Sequence, residues 1–172
     1  MKLSVKILIL SVIISLALYC TKIENYPDIP RITFNDVIVK DSIDVLGNNT
    51  KVVDLSFIVY DGNGDIGLNE SDSFPPFNKT SIYYYNLFIK EFEKIGDDFF
   101  ELTDTEFPRN YRIPMITPKG QNKNLKATIN VAIEYSYNDQ NPLPFSIFKY
   151  EFYLVDRALN QSNTDTSTTI SF

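Results

Sequence analysis

Residues 125 to 137 read Leu-Lys-Ala-Thr-Ile-Asn-Val-Ala-Ile-Glu-Tyr-Ser-Tyr, with Leu125, Ala127, Ile129, Val131, Ile133, Tyr135 and Tyr137 at every second position and Lys126, Thr128, Asn130 and Glu134 between them. Successive side chains of a strand point to opposite faces, so this spacing predicts a half-buried β-strand over the whole stretch. The same period governs 52–60, where Val53, Leu55, Phe57 and Val59 share a face, and 145–155, where Phe148, Tyr150 and Phe152 oppose Lys149 and Glu151. Residues 82–92 are rich in aromatic and β-branched types and lead through Ile95-Gly96-Asp97-Asp98, a hairpin turn, into 99–102. Shorter strands are expected at 31–39, at 111–116 beside Pro114, and at 164–172. Apolar residues at helical spacing occur nowhere beyond the N-terminal segment. The chain is therefore expected to be all-β, an antiparallel β-sandwich with Greek-key connections over 31–172.

Composition narrows the chemistry. The 172 residues, 44% apolar and 22% charged, suit one globular domain. They include 11 tyrosines and 13 phenylalanines but no histidine, no tryptophan and one cysteine, Cys20. Without histidine there is no Ser-His-Asp or Cys-His nucleophilic site, no HExxH metalloprotease site and little scope for a zinc or copper centre. One cysteine forbids an internal disulfide or a thiolate cluster. Phenylalanine and tyrosine fit between two sheets, the tyrosine hydroxyl reaching the rim.

The first 19 residues carry Lys2 and Lys6 followed by an apolar run from Ile7 to Leu18, the pattern of a secretory signal too short to span a bilayer comfortably. The run ends at Ala17-Leu18-Tyr19-Cys20, which resembles the lipobox of bacterial lipoproteins. That resemblance implies cleavage of 1–19, acylation of Cys20, and a tether from Thr21 to Pro30 that lets the domain stand off an outer membrane or cell surface. Removing 1–19 takes Lys2 and Lys6 from the 16 basic residues and none of the 22 acids, leaving a net charge of −8. An acidic body of this kind argues against nucleic acid as a partner.

Two loops hold the distinctive chemistry. The first, Asp61-Gly62-Asn63-Gly64-Asp65-Ile66-Gly67-Leu68, follows the 52–60 strand and places side-chain oxygens at Asp61, Asn63 and Asp65. Oxygens at alternate positions, separated by glycines that let the chain curl, suit a hard cation such as calcium; the same letters also spell turn chemistry, with Asx side chains capping backbone N–H groups. The spacing resembles the first half of an EF-hand loop, but Ile66 replaces the required glycine, Asp72 replaces the glutamate, and the flanks are strands, so an EF-hand is rejected. The run from Asp61 to Thr80 has no clear periodicity and is long for a mere connection.

The second loop, Asp156-Arg157-Ala158-Leu159-Asn160-Gln161-Ser162-Asn163, resembles the final hairpin of bacterial immunoglobulin-like domains, a strand followed by D-x-x-G-N-x-S, with Leu159 where glycine is frequent. Together with DGNGDIGL, Asn86-Leu87-Phe88-Ile89-Lys90 and Tyr111-Arg112-Ile113-Pro114, the chain resembles small Bacteroidetes-type lipoproteins with an immunoglobulin-like β-sandwich. The resemblance implies a membrane-anchored, non-catalytic binding or structural module, with an envelope protein or glycan as partner. In such a sandwich the loop after the second strand and the loop before the last lie at one end, which would bring Asp61, Asn63 and Asp65 towards Asp156 and Asn160. Calcium or Arg157 would then have to relieve the repulsion.

Three other readings compete. A polysaccharide-binding or -processing accessory protein would use Tyr83-Tyr84-Tyr85 as a stacking platform, although on a strand Tyr84 faces away from its neighbours. Paired acids such as Asp97 and Asp98 are the minimal equipment for glycoside hydrolysis, but among 22 acids such pairs arise by chance. A small outer-membrane β-barrel would explain an alternating segment ending in Phe172, though a solvated sheet explains the alternation equally well.

Overall fold

The computed structural model describes residues 24–103, 108–118 and 122–172. The signal segment 1–19 and the acylation candidate Cys20 lie outside the described residues. Nine strands follow one another among the described residues: β1 (Arg31–Ile43), β2 (Asn49–Asp61), β3 (Leu87–Ile95), β4 (Asp98–Glu101), β5 (Arg109–Tyr111), β6 (Leu125–Tyr137), β7 (Ile147–Leu154), β8 (Asp165–Thr166) and β9 (Ile170–Ser171). One sheet runs β1-β2-β6; the other runs β4-β3-β7-β8, with β5 also on β3 and β9 also on β7. All these pairings are antiparallel.

β4 and β5 lie one after the other along the same edge of β3, and β8 and β9 do so along β7, so each pair forms one interrupted strand. With those pairs merged, the strand order is that of an immunoglobulin-like sandwich. The two sheets stay separate around a shared core and do not close into the β-barrel weighed above. Phe172 belongs to that core, its ring 4.8 Å from Phe148 and 5.2 Å from Tyr135.

Period-two patterning builds the core directly. Val53, Leu55, Phe57 and Val59 of β2, Ile133 of β6, and Phe148, Tyr150, Phe152 and Leu154 of β7 are all fully buried. Removing side chains of this size from water stabilises the fold by about 1.5–3 kcal/mol each. In β1 the inward set changes parity from Ile32 and Phe34 to Val37 and Val39. A bulge between Phe34 and Asp36 absorbs the extra residue and keeps both pairs facing inward.

Side chains stitch the sheets together where backbone pairing stops. The Ile32 N–H donates to Asn163 Oδ1 at 2.9 Å, Asn163 Nδ2 donates back to the Ile32 carbonyl at 3.1 Å, and the Phe34 N–H donates to Asp165 Oδ2 at 2.6 Å. The expected strand at 164–172 is split into β8 and β9. Between its two pieces the Ser167 hydroxyl takes the Tyr150 N–H at 2.9 Å in place of a carbonyl.

Two further expectations change. Ile82–Tyr84 forms a single 3-10 turn rather than strand, because the Ser81 hydroxyl accepts the Tyr83 N–H at 3.1 Å. Arg112 fixes the turn, donating to the Tyr84 carbonyl at 2.7 Å with its guanidinium over the Tyr84 ring. This occupies one ring of the supposed tyrosine platform. The strand expected at 111–116 ends at Tyr111, after which the Asn86 side chain satisfies both the Ile113 N–H (2.6 Å) and carbonyl (3.1 Å).

The described part of the tether is docked. The Tyr26 N–H donates to Asn124 Oδ1 at 3.0 Å, the Pro27 carbonyl accepts the Gly62 N–H at 2.8 Å, and the Tyr26 ring meets Tyr60 edge-on. Residues 26 and 27 therefore meet the domain at the end of the sandwich where β2 finishes. No helix among the described residues is long and apolar enough to cross a membrane.

Candidate metal centre

β2 delivers Asp61 as its last residue, and β7 delivers Asp156 two residues past its end. Between them, the Asp65 carbonyl accepts the Arg157 N–H at 3.2 Å, tying the two loops together. One carboxylate oxygen each from Asp61, Asp65 and Asp156 lies within 4.8 Å of the others. The convergence anticipated for an immunoglobulin-like end is thus present.

Local chemistry explains each loop. Asp61 Oδ2 accepts the Asp65 N–H at 3.1 Å, and Asn63 Oδ1 accepts the same N–H at 3.3 Å. Both interactions curl the segment into a turn. Gly64 takes φ +66°, a conformation that costs a residue with a side chain. In the second loop the Asp156 carboxylate receives the Asn160 N–H at 2.7 Å and Asn160 Nδ2 at 2.8 Å, while Ser162 Oγ receives the Leu154 N–H at 2.9 Å. The D-x-x-x-N-x-S pattern is thus a self-bonded hairpin, and Leu159 sits at φ +67°, a conformation that favours glycine.

Asp61 is 0% and Asp156 2% exposed. Asp61 Oδ1 and Asp65 Oδ1 are buried and have no hydrogen-bond partner. A buried acceptor left unpaired is costly, and a charged one more so. Burial, with smaller contributions from the charges of Asp65 and Asp156, pushes the Asp61 carboxyl up from 3.8 to about 6. Asp65 is raised as well, first by burial and then by the neighbouring Asp156 charge.

Arg157 was the alternative source of neutralisation, and its side chain is engaged elsewhere. Its guanidinium makes a two-pronged ion pair with Asp72, Nη1 on Oδ2 and Nη2 on Oδ1. Among the described residues no lysine or arginine forms an ion pair with Asp61, Asp65 or Asp156. Three clustered carboxylates with two idle oxygens can hold a hard cation, with water and nearby carbonyls filling a shell of six to eight oxygens. Asn63 and Asn160 build the turns that aim these groups.

Sequence reading missed a second buried polar group. Glu91 faces inward between the sheets, 6% exposed, where it accepts from the Tyr135 hydroxyl and from Arg109 Nε at 3.3 Å. The Tyr135 and Tyr150 hydroxyls lie 2.7 Å apart, and the Arg109 guanidinium stacks 4.5 Å over the Tyr135 ring. Burial raises both tyrosines well above their ordinary value. The available signal was parity: Leu87 and Ile89 point inward, and Glu91 is next in that series.

Comparison with protein-family models, with curated proteins and with solved structures gives no match.

Proposed function

We propose that the chain is a lipid-anchored envelope lipoprotein of the small Bacteroidetes-type group, acting without catalysis as a binding or structural module whose anchor-side loop end holds a calcium ion. The observation that carries the calcium reading is the pair of buried, unpartnered oxygens on Asp61 and Asp65 facing Asp156, while Arg157 is committed to Asp72. Asp61, Asp65 and Asp156 would supply direct ligands, with Asn63 holding the turn. Calorimetric titration with calcium, beside Asp61→Ala and Asp65→Ala variants, tests it. Binding heat in the parent and none in the variants is expected; no heat and no thermal shift in the parent would overturn it.

The anchor reading is supported by the basic and apolar start of the chain and by its sole cysteine at the end of that run. Acylation of Cys20 would place the domain on the outer membrane or cell surface, with a protein or glycan of the envelope as partner and no nucleic acid. Incorporation of labelled fatty acid into the parent and its loss in Cys20→Ser is the expected outcome, and equal labelling of both would refute it.

A further inference from the structure

The cation site and the anchor segment share one stretch of backbone. Asp61 contributes a carboxylate to the acidic trio, and the next residue, Gly62, donates its N–H to the Pro27 carbonyl at 2.8 Å. The strap lies so close that a Cβ on residue 62 would collide with the Tyr26 carbonyl and come within 2.9 Å of Asp28 Oδ1. A second hold lies outside the loop: the Tyr26 N–H on Asn124 Oδ1 at 3.0 Å, with Asn124 Nδ2 on Asn25 Oδ1 at 3.2 Å.

We propose that calcium at Asp61, Asp65 and Asp156 controls the docking of this strap, so that the ion sets how closely the domain is held to its membrane anchor. The proposal rests on the calcium reading given above. Without a cation, a charged Asp61 carboxylate is hydrated only if the 61–65 turn opens and lets water reach its Oδ1. Asp61 and Gly62 are consecutive, so that opening carries the Gly62 N–H away from Pro27. With the cation bound, the turn is pinned and the strap has a fixed surface to meet. By linkage, strap docking must strengthen calcium binding by the factor with which calcium strengthens docking, typically about 5- to 150-fold.

The consequence is geometric. With Asn25 and Tyr26 held, at most five residue spacings separate the strap from Cys20, a reach of at most ~18 Å; with the strap released, the ten spacings to Pro30 reach at most ~35 Å. Calcium would thereby draw the acidic end of the sandwich towards the bilayer, and its loss would let the domain stand off.

Hydrogen exchange at the Tyr26 amide reports docking without touching the metal loop. On the full chain in detergent, calcium at saturation is expected to slow Tyr26 exchange by about 5-fold or more, with magnesium as the comparison ion. Gly62→Ala displaces the strap by collision, and Asn124→Ala removes its second hold while leaving the loop intact. Both are expected to weaken calcium binding, by at most the factor measured at Tyr26, and in Asp156→Asn calcium should leave Tyr26 exchange unchanged. If calorimetry detects no calcium binding to the parent, the site itself falls and the proposal with it. If calcium binds but Tyr26 exchange does not respond and Asn124→Ala binds as tightly as the parent, the coupling is refuted and the site stands.

Discussion

Arg157 adjoins Asp156 in the chain, yet its guanidinium pairs with Asp72 on the long loop that follows β2. The arginine thus braces that loop against the end of β7 and makes no ion pair with the trio of carboxylates, acting on Asp65 only through its charge from a distance. The ion pair is partly shielded, with side-chain exposures of 28% and 16%.

Arg157→Ala and Asp72→Ala are each expected to lower stability by about 1–2 kcal/mol, and the double variant by little more than either single one. Denaturant melts of the four proteins check this. Calcium heat should survive in Arg157→Ala, since the arginine forms no ion pair with Asp61, Asp65 or Asp156.

The raised Asp61 carboxyl gives the calcium-free protein an unusual pH dependence. Its value is 3.8 when unfolded and about 6 when folded, so its contribution is fully present below 3.8 and is lost as pH rises through 6. The loss amounts to roughly 3 kcal/mol by pH 7. In chelator, Asp61→Asn is expected to be more stable than the parent at pH 7 and to show a flatter dependence between pH 4 and 7. Calcium should restore the parent at pH 7, and its affinity should fall below pH 6 as protons compete.

Glu91 is held in the core by Arg109 and by the Tyr135 hydroxyl, which in turn meets the Tyr150 hydroxyl. Arg109→Ala should cost about 3 kcal/mol or more, because it strands a buried charge, and adding Glu91→Gln should recover part of that loss. Ultraviolet titration should show Tyr135 and Tyr150 remaining un-ionised until the fold itself opens.

Leu159 sits at φ +67° and is 38% exposed. Leu159→Gly removes the left-handed strain while giving up little burial, so a gain of about 0.5–1 kcal/mol is expected in thermal melts. An equal or lower midpoint would show that its apolar contacts outweigh the strain.

Local patterning carried most of the architecture. The alternation over 125–137 matches β6 residue for residue, and Val53 to Val59 are buried as their spacing demands, because strand faces depend only on parity and on the transfer of apolar groups from water. The D-G-N-G-D and D-x-x-x-N-x-S segments were also readable as loops, since their hydrogen bonds close within four to eight residues. Whatever depended on partners distant in the chain was not: Arg157 choosing Asp72, Glu91 finding Arg109 and Tyr135, Tyr26 settling against Asn124, and the two unpaired oxygens that distinguish a cation site from a turn. Residue types state which groups can bond or carry charge. Only the packing of one sheet end against another decides which of those groups are buried together, and so where three carboxylates must share one small volume.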